Sequence, residues 1–163
     1  MPGRSLTSEE ILTLLVETPP RIAEHTTGLT PVQLRTAPQP DEWSAVDVLA
    51  HLRACADMWG ACIVTILAKD HPMIRAVNPK SWIKQTNYRD LEFELSWHAF
   101  MTQRADLLAV LEPLPSESWS RSATVTGAGA VLERTVHDYA RRLARHERSH
   151  FKQFQHIADA LRV

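Results

Sequence analysis

One uninterrupted run constrains the fold most. From Ala45 to Lys69 the chain reads AVDVLAHLRACADMWGACIVTILAK, with no proline and with Gly60 as its only glycine. Ser44 precedes it as a cap, Asp47 follows three residues on, and His71-Pro72 stops it, so the stretch predicts one long helix. At about 100° per residue, Val48, Cys55, Met58 and Cys62 fall within roughly 60° of His51. His51 therefore points the same way as an apolar stripe. A long helix with such a stripe must bury it against other elements, and the rest of the chain supplies helices to do so.

Thr7 and Glu10 form a predicted capping box before Ile11, Leu12, Leu14, Leu15 and Val16. Pro19-Pro20 then removes two backbone donors, so this first helix is expected to kink or break before resuming over Arg21 to Thr27. Thr30-Pro31 marks a short helical turn through Leu34, and Ala37 to Glu42 is a linker. A third long helix is predicted over Tyr88 to Leu111, where Phe93, Trp97, Phe100, Leu107 and Leu111 recur at three- and four-residue steps. Pro115 to Gly129 reads as a polar loop, long enough to suggest a functional role. A fourth helix is predicted from about Val131 nearly to the C-terminus. Ala130 stands where its cap belongs, leaving capping to Thr126 or to the glycines. Four long helical segments with no convincing alternating strand define an all-α four-helix bundle, a single domain over residues 1–163.

Composition narrows the function. The chain is 44% hydrophobic and 23% charged with a formal net charge of -1, and it has no basic run, which argues against nucleic acid as a partner. No leader pattern opens it, and no apolar run was expected to approach the length a membrane span requires. Cys55 and Cys62 are seven residues apart on one helix and are not placed to bond each other. A reducing cytoplasm follows as the expected location.

The chemistry centres on Arg141 to Ile157, RRLARHERSHFKQFQHI. His146 and His150 are four residues apart, about 40° of helical rotation, and share a face with Leu143 and Ile157. Arg134, Arg141, Arg145, Arg148 and Lys152 fall on the opposite side, a solvated face. Such a histidine pair offers two ligands to a divalent metal, and His51 on the other apolar stripe offers a third. Three neutral imidazoles suit zinc, nickel or ferrous iron rather than calcium or magnesium, and leave coordination positions open. Cys55, one turn beyond His51, is either a further ligand or thiol nucleophile or, more simply, a small buried hydrophobe. Glu147 is either a base or a residue pointing sideways.

The segments WSAVDVLAHL, with Trp43, Ser44, Val48, Leu49, His51 and Leu52, and RHERSHFKQFQHI, with His146, Glu147, His150 and Gln153, together resemble the DinB-like superfamily. The resemblance implies an up-up-down-down four-helix bundle in which His51, His146 and His150 bind a divalent metal, commonly nickel or zinc. It also implies a small-molecule substrate, with thiol-dependent transfer or hydrolysis as the reaction, and a homodimer. The competing expectation is a non-enzymatic, stress-linked scaffold with a structural metal.

Overall fold

The computed structural model describes residues 4–162. Helix α1 (Ser8–Thr26) starts at the expected capping box, Thr7 accepting from the Glu10 N–H and the Glu10 carboxylate accepting from Thr7. α2 (Pro31–Leu34) is the short turn capped by Thr30. α3 (Ala45–Ala68) spans the long uninterrupted run, with Ser44 and Asp47 as its cap. Helix α5 (Phe93–Leu111) starts five residues later than expected, because Tyr88–Asp90 forms a separate 3-10 turn. The last helix comes in two parts, α6 (Val136–Ser149) and α7 (Phe151–Leu161), with His150 at the joint.

Two expectations about α1 and α6 are corrected. Pro19 and Pro20 lie inside α1 and do not break it. Pro19 lacks the N–H that would bond the Leu15 carbonyl, but Arg104 of α5 donates to that carbonyl at 2.8 Å. The cap of α6 is Thr135, which accepts from the Asp138 N–H while Asp138 accepts from Thr135. Neither Thr126 nor the glycines serve.

The all-α expectation is also incomplete. A small sheet of order β1-β2-β3 joins Met73–Arg75 (β1), Ser122–Thr126 (β2) and Leu132–Thr135 (β3). β1 pairs parallel and β3 antiparallel to β2. β2 lies in the stretch read as a polar loop. Its alternation is only Ala123 and Val125 inward, two small apolar residues among Ser and Thr, too short a signal to stand out. Gly127 and Gly129 in the β2–β3 turn have φ of 85° and 91°, a conformation other residues adopt only under strain.

The bundle core has two ends. At one, Ile11 and Leu15 of α1 meet Trp59 and Ile63 of α3, Leu107 and Leu111 of α5, and Val136 and Leu143 of α6. At the other, Ile22 meets Val48, Leu52, Phe93, Phe100 and Phe154. Thus α1 and α6–α7 run one way while α3 and α5 run the other. The order is up-down-down-up, which corrects the up-up-down-down expectation. The reason is the connection over residues 69–92. It carries β1 and the short helix α4 (Pro79–Ile83) and returns the chain along α3, so α5 begins where α3 begins. Asp57 of α3 pins that return, accepting from Trp82 Nε1 at 2.9 Å, Tyr88 Oη at 2.6 Å and Gln103 Nε2 at 2.6 Å.

By length and composition alone α3 is apolar enough to cross a membrane, contrary to the expectation from the sequence. Half of its most apolar stretch is buried in the bundle, and it places His51, Arg53 and Asp57 among polar partners from other helices. It is a core helix.

Candidate metal centre

α3 and α6 run antiparallel, and this brings His51, two turns from the start of α3, against His146 in the last turn of α6. Their Nε2 atoms are 3.0 Å apart. His150 ends α6 with its N–H on the Glu147 carbonyl, and its Nε2 lies 3.2 Å from His146 Nε2. The structure therefore brings together all three histidines singled out from the sequence, each through the same ring nitrogen. Trp43 packs on His51 at a ring-centroid distance of 5.2 Å and Trp59 meets His146 edge-on at 5.2 Å.

The protonation states favour ligation. Burial, aided by the charge of His150, pushes His51 down to about 4. Burial, with His150 and His51, pushes His146 down to about 3. Both rings are neutral at pH 7. Gln153 Oε1 lies 2.7 Å from His150 Nδ1 and can only accept there, so Nδ1 carries the proton and Nε2 presents its lone pair to the cluster.

Among the described residues, His146 Nδ1 is buried without a partner. If His146 donates from Nε2 to one neighbour, its Nδ1 lone pair is stranded; if it protonates Nδ1, a donor is stranded and lone pairs face each other. Each stranded buried group costs about 1–3 kcal/mol. A cation between the rings would satisfy the facing Nε2 lone pairs, with His146 Nδ1–H still without a partner. Zinc–nitrogen bonds of about 2.0–2.1 Å at tetrahedral angles set nitrogens about 3.3 Å apart, close to the separations seen. The donor set fits a divalent metal.

The ligand atoms that lie mutually close include Cys55 and not His150. Cys55 Sγ is 3.8 Å from His51 Nε2, and the ligand atoms of His51, Cys55 and His146 lie within 4.8 Å of one another. Burial, reinforced by Glu147, pushes the thiol up to about 12, so it is protonated without a cation beside it. Glu147 does not point sideways into solvent. It is fully buried and ion-paired to Arg104, itself 3% exposed, the same arginine that caps the Leu15 carbonyl. No local pattern in the sequence marked Arg104. Of the remaining histidines, His137 bonds the Leu6 carbonyl, while His71 and His156 pair with Glu133 and Glu42, and His98 with Glu94.

The cluster is reached from two sides. A hollow of about 450 Å³ touches His146 and is walled by Arg134, Arg142 and Arg145. Another of about 470 Å³ touches His150, Gln153 and Trp43 beside Asp41 and Glu42.

A helical bundle that gathers three imidazoles between two of its long helices is a bundle with a histidine centre. The chain belongs to the DinB superfamily, which it matches over residues 14–154. It is also similar to the solved structure of YfiT from Bacillus subtilis, described as a probable metal-dependent hydrolase with an unusual four-helix bundle topology. The likeness has a TM-score of 0.73 at 17% identity over 98% of this chain and 91% of that one, and it shows the fold. Among curated proteins, no sequence matches.

Proposed function

We propose that the protein is a metal-dependent enzyme in which His51, His146 and His150 hold one divalent cation, zinc or nickel, and act on a small molecule. The observation that carries this reading is the approach of His51 Nε2 and His150 Nε2 to within 3.0 and 3.2 Å of His146 Nε2, with the His150 tautomer fixed by Gln153. Three protein ligands leave coordination positions open, and hollows adjoin both His146 and His150, as a catalytic rather than a closed structural centre requires. A bound cation there would supply Lewis acidity and lower the pKa of a water or thiol.

The chain's own contribution is positional. Gln153 holds the proton of His150 at Nδ1, burial keeps His51 and His146 neutral, and the indoles of Trp43 and Trp59 shield two sides of the cluster from water. Hydrolysis, or transfer involving a low-molecular-weight thiol, is the reaction class, in a cytoplasmic homodimer. A screen of thiol-plus-electrophile pairs and activated esters tests it. Turnover that disappears with a chelator and in His51→Ala is expected. Turnover that survives both contradicts the proposal.

The nearness of Cys55 favours a second ligand set, His51, Cys55 and His146. Cys55→Ala separates the two: metal content stays unchanged under the three-histidine reading and falls under the alternative.

A further inference from the structure

Arg134, Arg141, Arg145, Arg148 and Lys152 are expected from the sequence on a face turned away from His146, a set to which Arg142, itself exposed, does not belong. It stands one turn before His146, about 40° around the helix, in the row that continues to His150. Its guanidinium lies 4.7 Å over the Trp59 ring, the indole that meets His146 edge-on. One aromatic ring therefore joins a fixed positive charge to the histidine cluster.

Arg134 faces the same space. It is the cross-strand partner of Ala123, so its side chain leaves the sheet on the core side. Arg134 and Arg142 both line a cleft of about 470 Å³ between α3, α6 and the sheet. Its other walls hold a third arginine, Arg75, beside apolar Met58, Ile74, Val125 and Leu132. The same two arginines also line the hollow that touches His146, so they stand between the cleft and the histidine cluster.

Among the described residues, neither Arg134 nor Arg142 is in an ion pair, whereas their neighbour Arg141 is neutralised by Asp138 at 2.9 Å. A solvated charge stripe interleaves both signs along a helix face. Arg134 feels the nearby Asp138 carboxylate, but guanidinia that stand beside apolar walls, as Arg134 and Arg142 do, have a different use. Their planar forks match carboxylate and phosphate oxygens, and the stack on Trp59 orders Arg142 in advance. The low-polarity walls strengthen attraction to an anion.

We infer that the substrate is an amphipathic organic anion, a carboxylate or phosphate, whose apolar body lies in this cleft and whose anionic group is bound by Arg142 and Arg134, on the side of the cleft that faces the histidines. This rests on the histidine cluster being the reacting centre, but binding in the cleft does not require the cation.

The test is calorimetric titration of the full chain with 4-phenylbutanoate, 4-phenylbutyl phosphate and neutral 4-phenylbutanamide, once with chelator and once with added zinc. The better-bound anion is expected to exceed the amide by about tenfold in affinity. Whether it is the carboxylate or the phosphate identifies the anionic group. Arg142→Gln should abolish the preference and Arg134→Gln should reduce it. Arg148→Gln, an exposed arginine of α6 outside the cleft, should leave it intact. An amide bound as tightly as both anions, no binding of any probe, or an equal loss in Arg148→Gln would each overturn the inference. Anion preference in chelated protein that takes up no zinc leaves the cleft standing and removes the metal centre. Full zinc uptake without the preference does the reverse.

Discussion

His150 reaches the cluster from outside a regular helix, and a single amide decides which of its nitrogens is available. Gln153→Ala leaves the three ligands in place but frees the imidazole to rotate and change tautomer. Metal affinity measured by competition with a chromophoric chelator is then expected to fall roughly 10–100-fold. A second outcome follows from His51 and His146, whose pKa values of about 4 and about 3 lie below the unfolded histidine value of about 6.5. Between those limits the unfolded chain binds more protons, so stability rises with pH across that window. Metal-free protein should therefore have a lower urea midpoint at about pH 4.5 than at about pH 7.5, and His146→Gln should lessen the difference. That His51, His146 and His150 come together was legible in the sequence, because spacing and apolar phase are local properties. Nothing local sets Trp59 apart from the other tryptophans or marks Arg142, since their places beside His146 depend on how α3 meets α6 across the bundle.

At the scale of elements, α1 shows how a local rule is overridden at a distance. Pro19 frees the Leu15 carbonyl, and the donor that answers it, Arg104, comes from 89 positions further along the chain. That arginine is also the partner of Glu147, so one guanidinium ties α1 and α5 to the turn of α6 that carries His146. Arg104→Met leaves a buried carboxylate and a buried carbonyl without their donor. A loss of about 3–5 kcal/mol is expected in urea unfolding. Arg104→Met with Glu147→Leu should recover part of it, and a double variant no more stable than Arg104→Met would contradict this account of the pair. The sheet escaped the sequence for a related reason. Strands of three to five residues with small apolar side chains give too short an alternation, and β1 is held by pairing to β2 across a wide separation.

At the scale of the molecule, the four long helices and their apolar faces were legible, while their directions were not. Direction is set by the path of residues 69–92, and that path is fixed by Asp57, whose donors lie 25, 31 and 46 residues away. Asp57→Ala should cost at least about 1.5–3 kcal/mol, the worth of one hydrogen bond to a charged group. Amide exchange is expected to quicken over residues 69–92 before it does in α6; uniform quickening would show that Asp57 does not pin this connection. The antiparallel packing of α3 on α6 is what makes a centre from residues 95 positions apart. Metal content tests that centre most directly, measured by elemental analysis of protein purified without an affinity tag. A single divalent cation per chain is expected in the wild type and a small fraction of that in each of His51→Ala, His146→Ala and His150→Ala. Equal, sub-stoichiometric metal in all four proteins would contradict the account.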